Sequence, residues 1–317
     1  MALKGGYRNT ICRGIDPPPF PWAKSGVDSK DEIKMVNLGP SRSERITISK
    51  TGNTSAVPLV LLMSMGVVEH LGVPAAQMPW YRPSSVPVGK VWCRFKGRDK
   101  NGQPGKMYQI RDMESSDRKR CLDMMEETFL NDEPLCQILD IKSDIESVTT
   151  IRNNWESYAD QGICIACYTE KDGMPEELVG FNILVVKTTD DNEEDINNVA
   201  GESWRKLLKT LVRAENLVDV FEYYGVDKYL TSSGLTVLPE HRGQNIGAKI
   251  IAAREAICNT FGIKAAATVF TARSSQVLAA KCGYQQLAVL LYERMLEEGI
   301  DLTGCDTLTA ILMGRTY

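Results

Sequence analysis

The stretch LTVLPEHRGQNIGAKI, Leu235 to Ile250, decides how the rest of the chain is read. Leu235, Val237 and the preceding residues 229–233 are β-prone, Pro239 stops that run, and residues 246–256 carry apolar side chains at helical spacing. Strand, turn and helix therefore follow one another directly. Gly243 and Gly247 leave bare backbone in the turn, with N–H groups facing a helix N-terminus whose partial positive charge favours an anion. A pyrophosphate suits that arrangement. A glycine-bearing loop entering a helix is also ordinary α/β connection chemistry, so the glycines alone do not choose between the two.

The composition narrows the functions available. A chain of 317 residues with 43% hydrophobic content has room for one large domain or a domain with an extension. Its formal net charge of −4 leaves no broad basic footprint, so nucleic acid and anionic membrane are not expected partners and small-molecule chemistry is. Nine cysteines without framework spacing suit a reducing, cytoplasmic setting. Only His70 and His241 are histidines, which excludes a His-rich metal site; no metal is expected. His241 reads as a polar residue of an exposed turn. The longest apolar run, residues 56–68, contains Pro58 and Gly66 and falls short of the roughly 20 residues of a membrane span. Lys4, Arg8 and Arg13 have no apolar signal core behind them, so no secretory peptide is expected.

Residues 1–105 are punctuated by breakers, among them residues 17–21 (PPPFP), Pro74, Pro79, Pro83, Pro87, Gly102 and Gly105. They read as a mostly irregular or disordered extension, with one short element at most near residues 57–71 and a solvated proline-rich linker at 17–21. From residue 106 to 317 short strands alternate with amphipathic helices, the pattern of an α/β or α+β domain. A strand is expected at 108–111 and a helix at 117–130, with Cys121, Met124, Met125 and Phe129 on its core stripe. Pro134 then breaks the helix and biases Glu133 toward an extended backbone.

A second helix is expected at 143–159, capped by Ser143 with Glu146 in the capping-box position. Residues 162–170 and 177–187 read as a hairpin around the turn at 171–175. Cys164 and Cys167 have the C-x-x-C spacing of a redox or zinc pair, but residues three apart in a strand point to opposite faces, so two core thiols are expected. The acidic run 190–195 lacks the glycine and spacing of a calcium loop and reads as a solvated turn. One helix should then run to Tyr224 and end at Gly225. The motif strand and helix follow, then a strand at 264–270, a helix at 273–282 stopped at Gly283, and late strands at 285–295 and 307–313.

The pattern Leu235, Val237, Pro239, Arg242, Gly243, Ile246, Gly247, Ile250 resembles the acetyl-CoA motif of the GNAT superfamily of N-acetyltransferases. One departure is Asn245, which stands where the first signature glycine usually does; asparagine tolerates positive φ better than most side chains. The element order from about residue 106 onward also matches the superfamily's mixed central sheet flanked by helices. The resemblance implies a CoA pyrophosphate held by Arg242, Gly243, Gln244, Asn245, Ile246, Gly247 and Ala248. It also implies a pantetheine and thioester along the backbone of Leu235, Thr236 and Val237, with Ser274 and Ser275 beside it.

Phe129, Asp132, Glu133, Pro134 and Leu135 are similar to a segment of the insect arylalkylamine N-acetyltransferases, in which the glutamate before the proline is the proposed general base. That resemblance gives Glu133 the same role and sets Thr271 and Ser275 beside the thioester. Ala279 stands where many members of the superfamily place a tyrosine acid. The expected protein is a monomeric, cytoplasmic enzyme that acetylates a small primary amine. Two alternatives stay open: a non-catalytic acyl-CoA-binding protein, and an acyltransferase for another acceptor, such as glycine or a polyamine.

Overall fold

The computed structural model describes residues 80–99, 102–191, 196 and 199–317, all within one compact unit, 69–317. The elements expected near residues 17–21 and 57–71 lie outside the described residues, as does most of the acidic run. The described chain builds an eight-stranded sheet in the order β1-β2-β3-β4-β5-β6-β8-β7. Its strands are β1 Val91–Lys96, β2 Met107–Asp112, β3 Ile165–Lys171, β4 Met174–Thr188, β5 Lys228–Val237, β6 Ala265–Phe270, β7 Gln285–Leu291 and β8 Thr309–Thr316. Every neighbouring pair is antiparallel except β5 and β6.

Helices cover both faces. On one lie α1 Arg118–Met124, α2 Leu130–Asp132, α3 Pro134–Ile138, α4 Ile145–Asp160 and α5 Glu202–Glu215, packed around buried Leu122, Leu135, Trp155, Phe181 and Leu207. On the other lie α7 Ile246–Phe261 and α8 Arg273–Lys281, over Ile110, Ile165, Leu184 and Val186. The short α6 Val220–Tyr224 packs with Tyr229 and Leu312 in a smaller cluster. Cys164 belongs to the first face and Cys167 to the second, as strand alternation requires, and burial pushes the Cys164 thiol up to about 12. The C-x-x-C pair is core. At the tip of the β3–β4 hairpin, Asp172 (φ 51°) and Gly173 (φ 81°) take the two left-handed positions of a tight turn.

Several boundaries differ from the sequence reading. A regular strand, β1, lies ahead of residue 106 and pairs with β2, so the sheet begins inside the stretch expected to be irregular. The helix expected over 117–130 stops at Met124 and continues as a π-helical turn, Met125–Phe129, which sets Phe129 edge-to-face on Trp155 with centroids 6.1 Å apart. Asp144, not Ser143, caps α4: its carboxylate accepts from Ser147 N at 3.2 Å, while Ser143 donates its hydroxyl to Asp140. The single helix expected up to Tyr224 is two, because the Asp219 carboxylate accepts from the Phe221 and Glu222 N–H groups and starts α6 anew. The strand expected over 285–295 ends at Leu291, and a 3-10 helix, Tyr292–Glu298, buries Tyr292 and Met295 three residues apart while the acidic residues between and after them stay in water.

Candidate active site

The sheet opens at its centre. The parallel strands β5 and β6 share one register pair, Leu230↔Ala266; beyond it β5 keeps β4 beside it as far as Val237, and β6 keeps β8 as far as Phe270. A wedge therefore lies between the two strand ends, and the open side of β5 offers it unpaired backbone groups. A bulge holds β5 in this course. Its register against β4 shifts between Asn182 and Leu184, and Gly234 takes φ 129° with its missing side chain facing Met125 of the π-helical turn. The Asn182 amide donates to Gly234 O and Ser232 Oγ, both at 2.7 Å, and its oxygen accepts from fully buried Arg254 at 3.0 Å. Residues of β4 and α7 thus fix the strand that borders the wedge.

The end of β5 runs into the turn quoted at the outset. Asn245 caps α7 with φ 68°, the left-handed conformation its sequence position demanded, and its side chain makes no cap hydrogen bond. Gly243 also has positive φ, 82°. The first backbone N–H of the helix to bond backward is that of Lys249, to Asn245 O at 3.1 Å, which leaves the N–H groups of the first turn for an outside partner. They border a cavity of about 260 Å³ lined by Val237, Arg242, Gly243, Asn245, Ile246, Gly247 and Ala248, together with Arg98, His241 and Leu278. A Cβ at Gly247 would lie 3.1 Å from Leu278 Cδ2, so a side chain there would enter the crevice between α7 and α8. Glycine dipoles, an uncapped helix start and an arginine fit a phosphate group.

The end of β6 leads to Thr271, and the break between α2 and α3 comes to meet it. Glu133 is extended (φ −80°, ψ 124°), as the following proline requires, and caps α3 by accepting from Cys136 N at 2.7 Å. Its other carboxylate oxygen accepts the Thr271 hydroxyl at 2.6 Å. Glu133 is buried, at 8% exposure, and is not a surface turn residue. Asp132 turns the other way and pairs with Arg242, whose Nε donates to Val237 O at 3.0 Å. Two adjacent carboxylates therefore straddle the wedge, one bound to the loop after β5 and the other to the turn after β6.

The remaining expected residues fall less closely together. Ser275 Oγ donates to Ala272 O at 2.7 Å, inside the first turn of α8, and Ser274 is exposed on that turn. Thr236 is buried in β5, Leu235 packs on the core below the wedge, and Gln244 is turned toward Gly97. His241 departs from its reading: it is buried, with Nδ1 3.2 Å from Tyr108 Oη and Nε2 3.4 Å from the Glu177 carboxylate, because β2 and β4 cover the loop from below. Tyr292 was missed altogether. It donates to Thr271 O at 3.3 Å, and burial with the nearby Glu133 charge pushes its hydroxyl well above the usual tyrosine range, which keeps it a donor. Burial and Glu133 likewise push the Cys136 thiol up. It stays protonated and is no nucleophile.

No protein-family model matches this sequence, and no curated protein matches it by sequence. Solved structures do. Over 75% of this chain and 99% of the other, the fold is similar to a protein described as arylalkylamine N-acetyltransferase 7 of the yellow fever mosquito Aedes aegypti, with 26% identity and a TM-score of 0.70. Arylalkylamine N-acetyltransferase 2 of the same mosquito matches with 19% identity and a TM-score of 0.59, over 66% of this chain and 98% of its own. The Drosophila melanogaster polyamine N-acetyltransferase that forms N-acetylagmatine matches with 18% identity and a TM-score of 0.56, over 66% of this chain and all (100%) of its own. Together with the splayed sheet and the uncapped turn, the likeness to the 26% identical structure supports a GNAT N-acetyltransferase. Among the described residues no helix is long and apolar enough to cross a membrane.

Proposed function

We propose that this protein transfers the acetyl group of acetyl-CoA to a small primary amine of the arylalkylamine type, by direct attack, with Glu133 as general base. The observation that carries the reading is the buried Glu133 carboxylate, held at the wedge by Cys136 N and the Thr271 hydroxyl. The thioester of acetyl-CoA supplies an activated acyl group when bound. Residues 242–248 would hold its pyrophosphate on backbone N–H groups, and the open edge of β5 would aim an N–H at the carbonyl oxygen, where negative charge develops during attack.

The amine must lose a proton as its C–N bond forms, and in this reading Glu133 accepts it. The leaving sulfur must gain a proton as the C–S bond breaks. The Thr271 hydroxyl already holds one against Glu133, and once the carboxylate is protonated that hydrogen bond can reverse, Thr271 giving its proton to the thiolate and regaining one from Glu133. The balance closes: one proton leaves the amine and one arrives on sulfur. Ser275, four residues further on, is a second hydroxyl beside this turn, and it donates to Ala272 O. The arylalkylamine assignment draws on the 26% identical mosquito structure.

A thiol-release assay with acetyl-CoA and a panel of tyramine, dopamine, serotonin, spermidine, agmatine and glycine tests the reading. Turnover with the aromatic amines is expected. Turnover confined to spermidine or agmatine would replace the acceptor class, and CoA binding without thiol release on any amine would reduce the protein to an acyl-CoA binder.

A further inference from the structure

The phosphate cavity holds a cation that the motif does not supply. Arg98, in the turn joining β1 and β2, lines it together with Arg242, Gly243 and Gly247. Among the described residues, the other basic groups nearby are engaged. Arg242 is bound to Asp132 and to Val237 O, Lys96 lies 3.6 Å from Asp99, Lys106 lies 3.9 Å from Glu177, and Lys249 Nζ rests over the Phe95 ring at 5.8 Å. Arg98 has no ion pair or hydrogen bond among the described residues, and its side chain is exposed at the cavity rim.

Its backbone, by contrast, is held beside the Gln244 side chain. A Cβ at Gly97 would lie 2.8 Å from the buried Tyr108 ring and 2.7 Å from Gln244 Oε1, so glycine lets the hairpin pack closely on Tyr108 and reach the Gln244 side chain. Gly97 N donates to Lys106 O at 2.8 Å, and Gly105 N donates to Asp99 Oδ1 at 2.9 Å, clamping the turn on either side of Arg98. A guanidinium without a partner among the described residues, on a backbone held beside an anion cradle, is suited to the planar, two-point recognition of a phosphate.

We propose that Arg98 is a phosphate-binding residue of the acetyl-CoA site, lining the cradle together with the α7 N-terminus. The assignment rests on the function proposed above. The shared chemistry is a phosphate oxyanion, and CoA offers two: the pyrophosphate and the ribose 3′-phosphate.

Calorimetric titration of the full chain with CoA and with dephospho-CoA, which lacks the 3′-phosphate, tests it in wild type, Arg98→Ala and Arg98→Lys. Arg98→Ala is expected to bind CoA about tenfold more weakly, the scale of one charged hydrogen-bonded contact, with a shallower salt dependence. Arg98→Lys, which keeps the charge without the fork, should fall between. A loss shared by dephospho-CoA assigns the contact to the pyrophosphate, and a loss confined to CoA assigns it to the 3′-phosphate. Equal affinity of wild type and Arg98→Ala for both ligands overturns the proposal and leaves the function standing. A wild-type protein that binds neither ligand overturns the reading of the cavity and this assignment with it.

Discussion

The Glu133 carboxylate accepts the Thr271 hydroxyl at 2.6 Å, joining two residues 138 apart in sequence across the mouth of the splayed sheet. Neither group reaches that point by chance. Pro134 makes Glu133 extended, Cys136 N fixes one of its oxygens, and Tyr292 holds the Thr271 carbonyl. If this carboxylate takes the amine's proton, Glu133→Gln should lower kcat by about 10²-fold, the ordinary scale for a lost general base. The glutamine oxygen can still cap α3, so the fold and the affinity for acetyl-CoA should hold. The defect should shrink as pH rises toward the pKa of the acceptor amine, where more of it arrives deprotonated. Steady-state rates across that range, with CoA titration as control, check both; unchanged kcat in a folded variant removes the base assignment.

Thr271→Val separates the hydroxyl from the space it fills. Valine keeps the branched shape and loses the donor, so Glu133 keeps its bond from Cys136 N and loses the one at 2.6 Å. We expect kcat to fall about tenfold or more, general acid assistance contributing at least that. Ser275→Ala should cost less, since that hydroxyl is bound to its own helix turn. A larger loss in Ser275→Ala than in Thr271→Val, measured in the same assay, would transfer the acid role to Ser275.

The phosphate turn makes opposite demands at two neighbouring positions. Gly247→Asp should abolish measurable CoA binding, because its Cβ would press on Leu278 and its charge would face the pyrophosphate. Asn245→Gly should preserve or tighten binding, while Asn245→Ala should cost ~1–2 kcal/mol of stability, the left-handed φ of 68° being unfavourable for alanine. Calorimetry and thermal melts read the two effects apart. Undiminished CoA affinity in folded Gly247→Asp would remove the phosphate site.

Arg254 is a buried cation whose hydrogen-bond partners among the described residues are neutral: Asn182 Oδ1 and, at 3.3 Å, Tyr284 Oη. Asn182→Leu would strip its main acceptor and the donor to Gly234 O, leaving buried hydrogen-bonding groups unsatisfied at a cost of ~1–3 kcal/mol or more. Arg254→Met alone should also be costly, but the double variant should lose less than the sum of the two, as residues of one buried network do. Urea unfolding of the four proteins measures the coupling. Additive losses would mean that the two residues act independently.

What could be read in the sequence was local. The strand, the phosphate turn and α7 are contiguous, so residues 235–250 announced themselves, and Pro134 dictated the backbone of Glu133 from one residue away. What stayed hidden depends on partners distant in the chain. His241 looked exposed because Glu240, Arg242 and Gly243 beside it are, yet its ring is buried under Tyr108 of β2. The strand Val91–Lys96 was masked by the prolines before it and the glycines after it, although it pairs antiparallel with β2, with one register shift between Val91 and Cys93. Tyr292 lies where a strand pattern gives way to a 3-10 turn, and nothing in its neighbours points to the Thr271 carbonyl. Arg98 is visible only once the β1–β2 hairpin is seen to touch residue 244.

The segment ahead of β1 sets a limit on how far the chain can be shortened. Asp112, at 1% exposure, accepts from Arg82 at 2.8 Å, from Trp92 Nε1 at 2.7 Å, and from the backbone of Gly89 and Lys90 at 3.1 and 2.9 Å. Arg82 in turn donates to the carbonyls of Val86, Pro87 and Gly162, and Trp80 packs edge-to-face on Phe261 at 5.6 Å. A chain starting at residue 91 would keep β1 but leave Asp112 buried with only the Trp92 donor. Removing one side of a buried pair costs ~3–5 kcal/mol, a large share of a typical domain's stability. A chain starting at residue 80 retains every one of these contacts. We therefore expect residues 91–317 to unfold at a clearly lower urea concentration than residues 80–317, and Asp112→Asn in the shorter chain, which removes the stranded charge, to recover part of the difference. Equal midpoints for the two chains would show that residues 80–90 lie on the domain without supporting it.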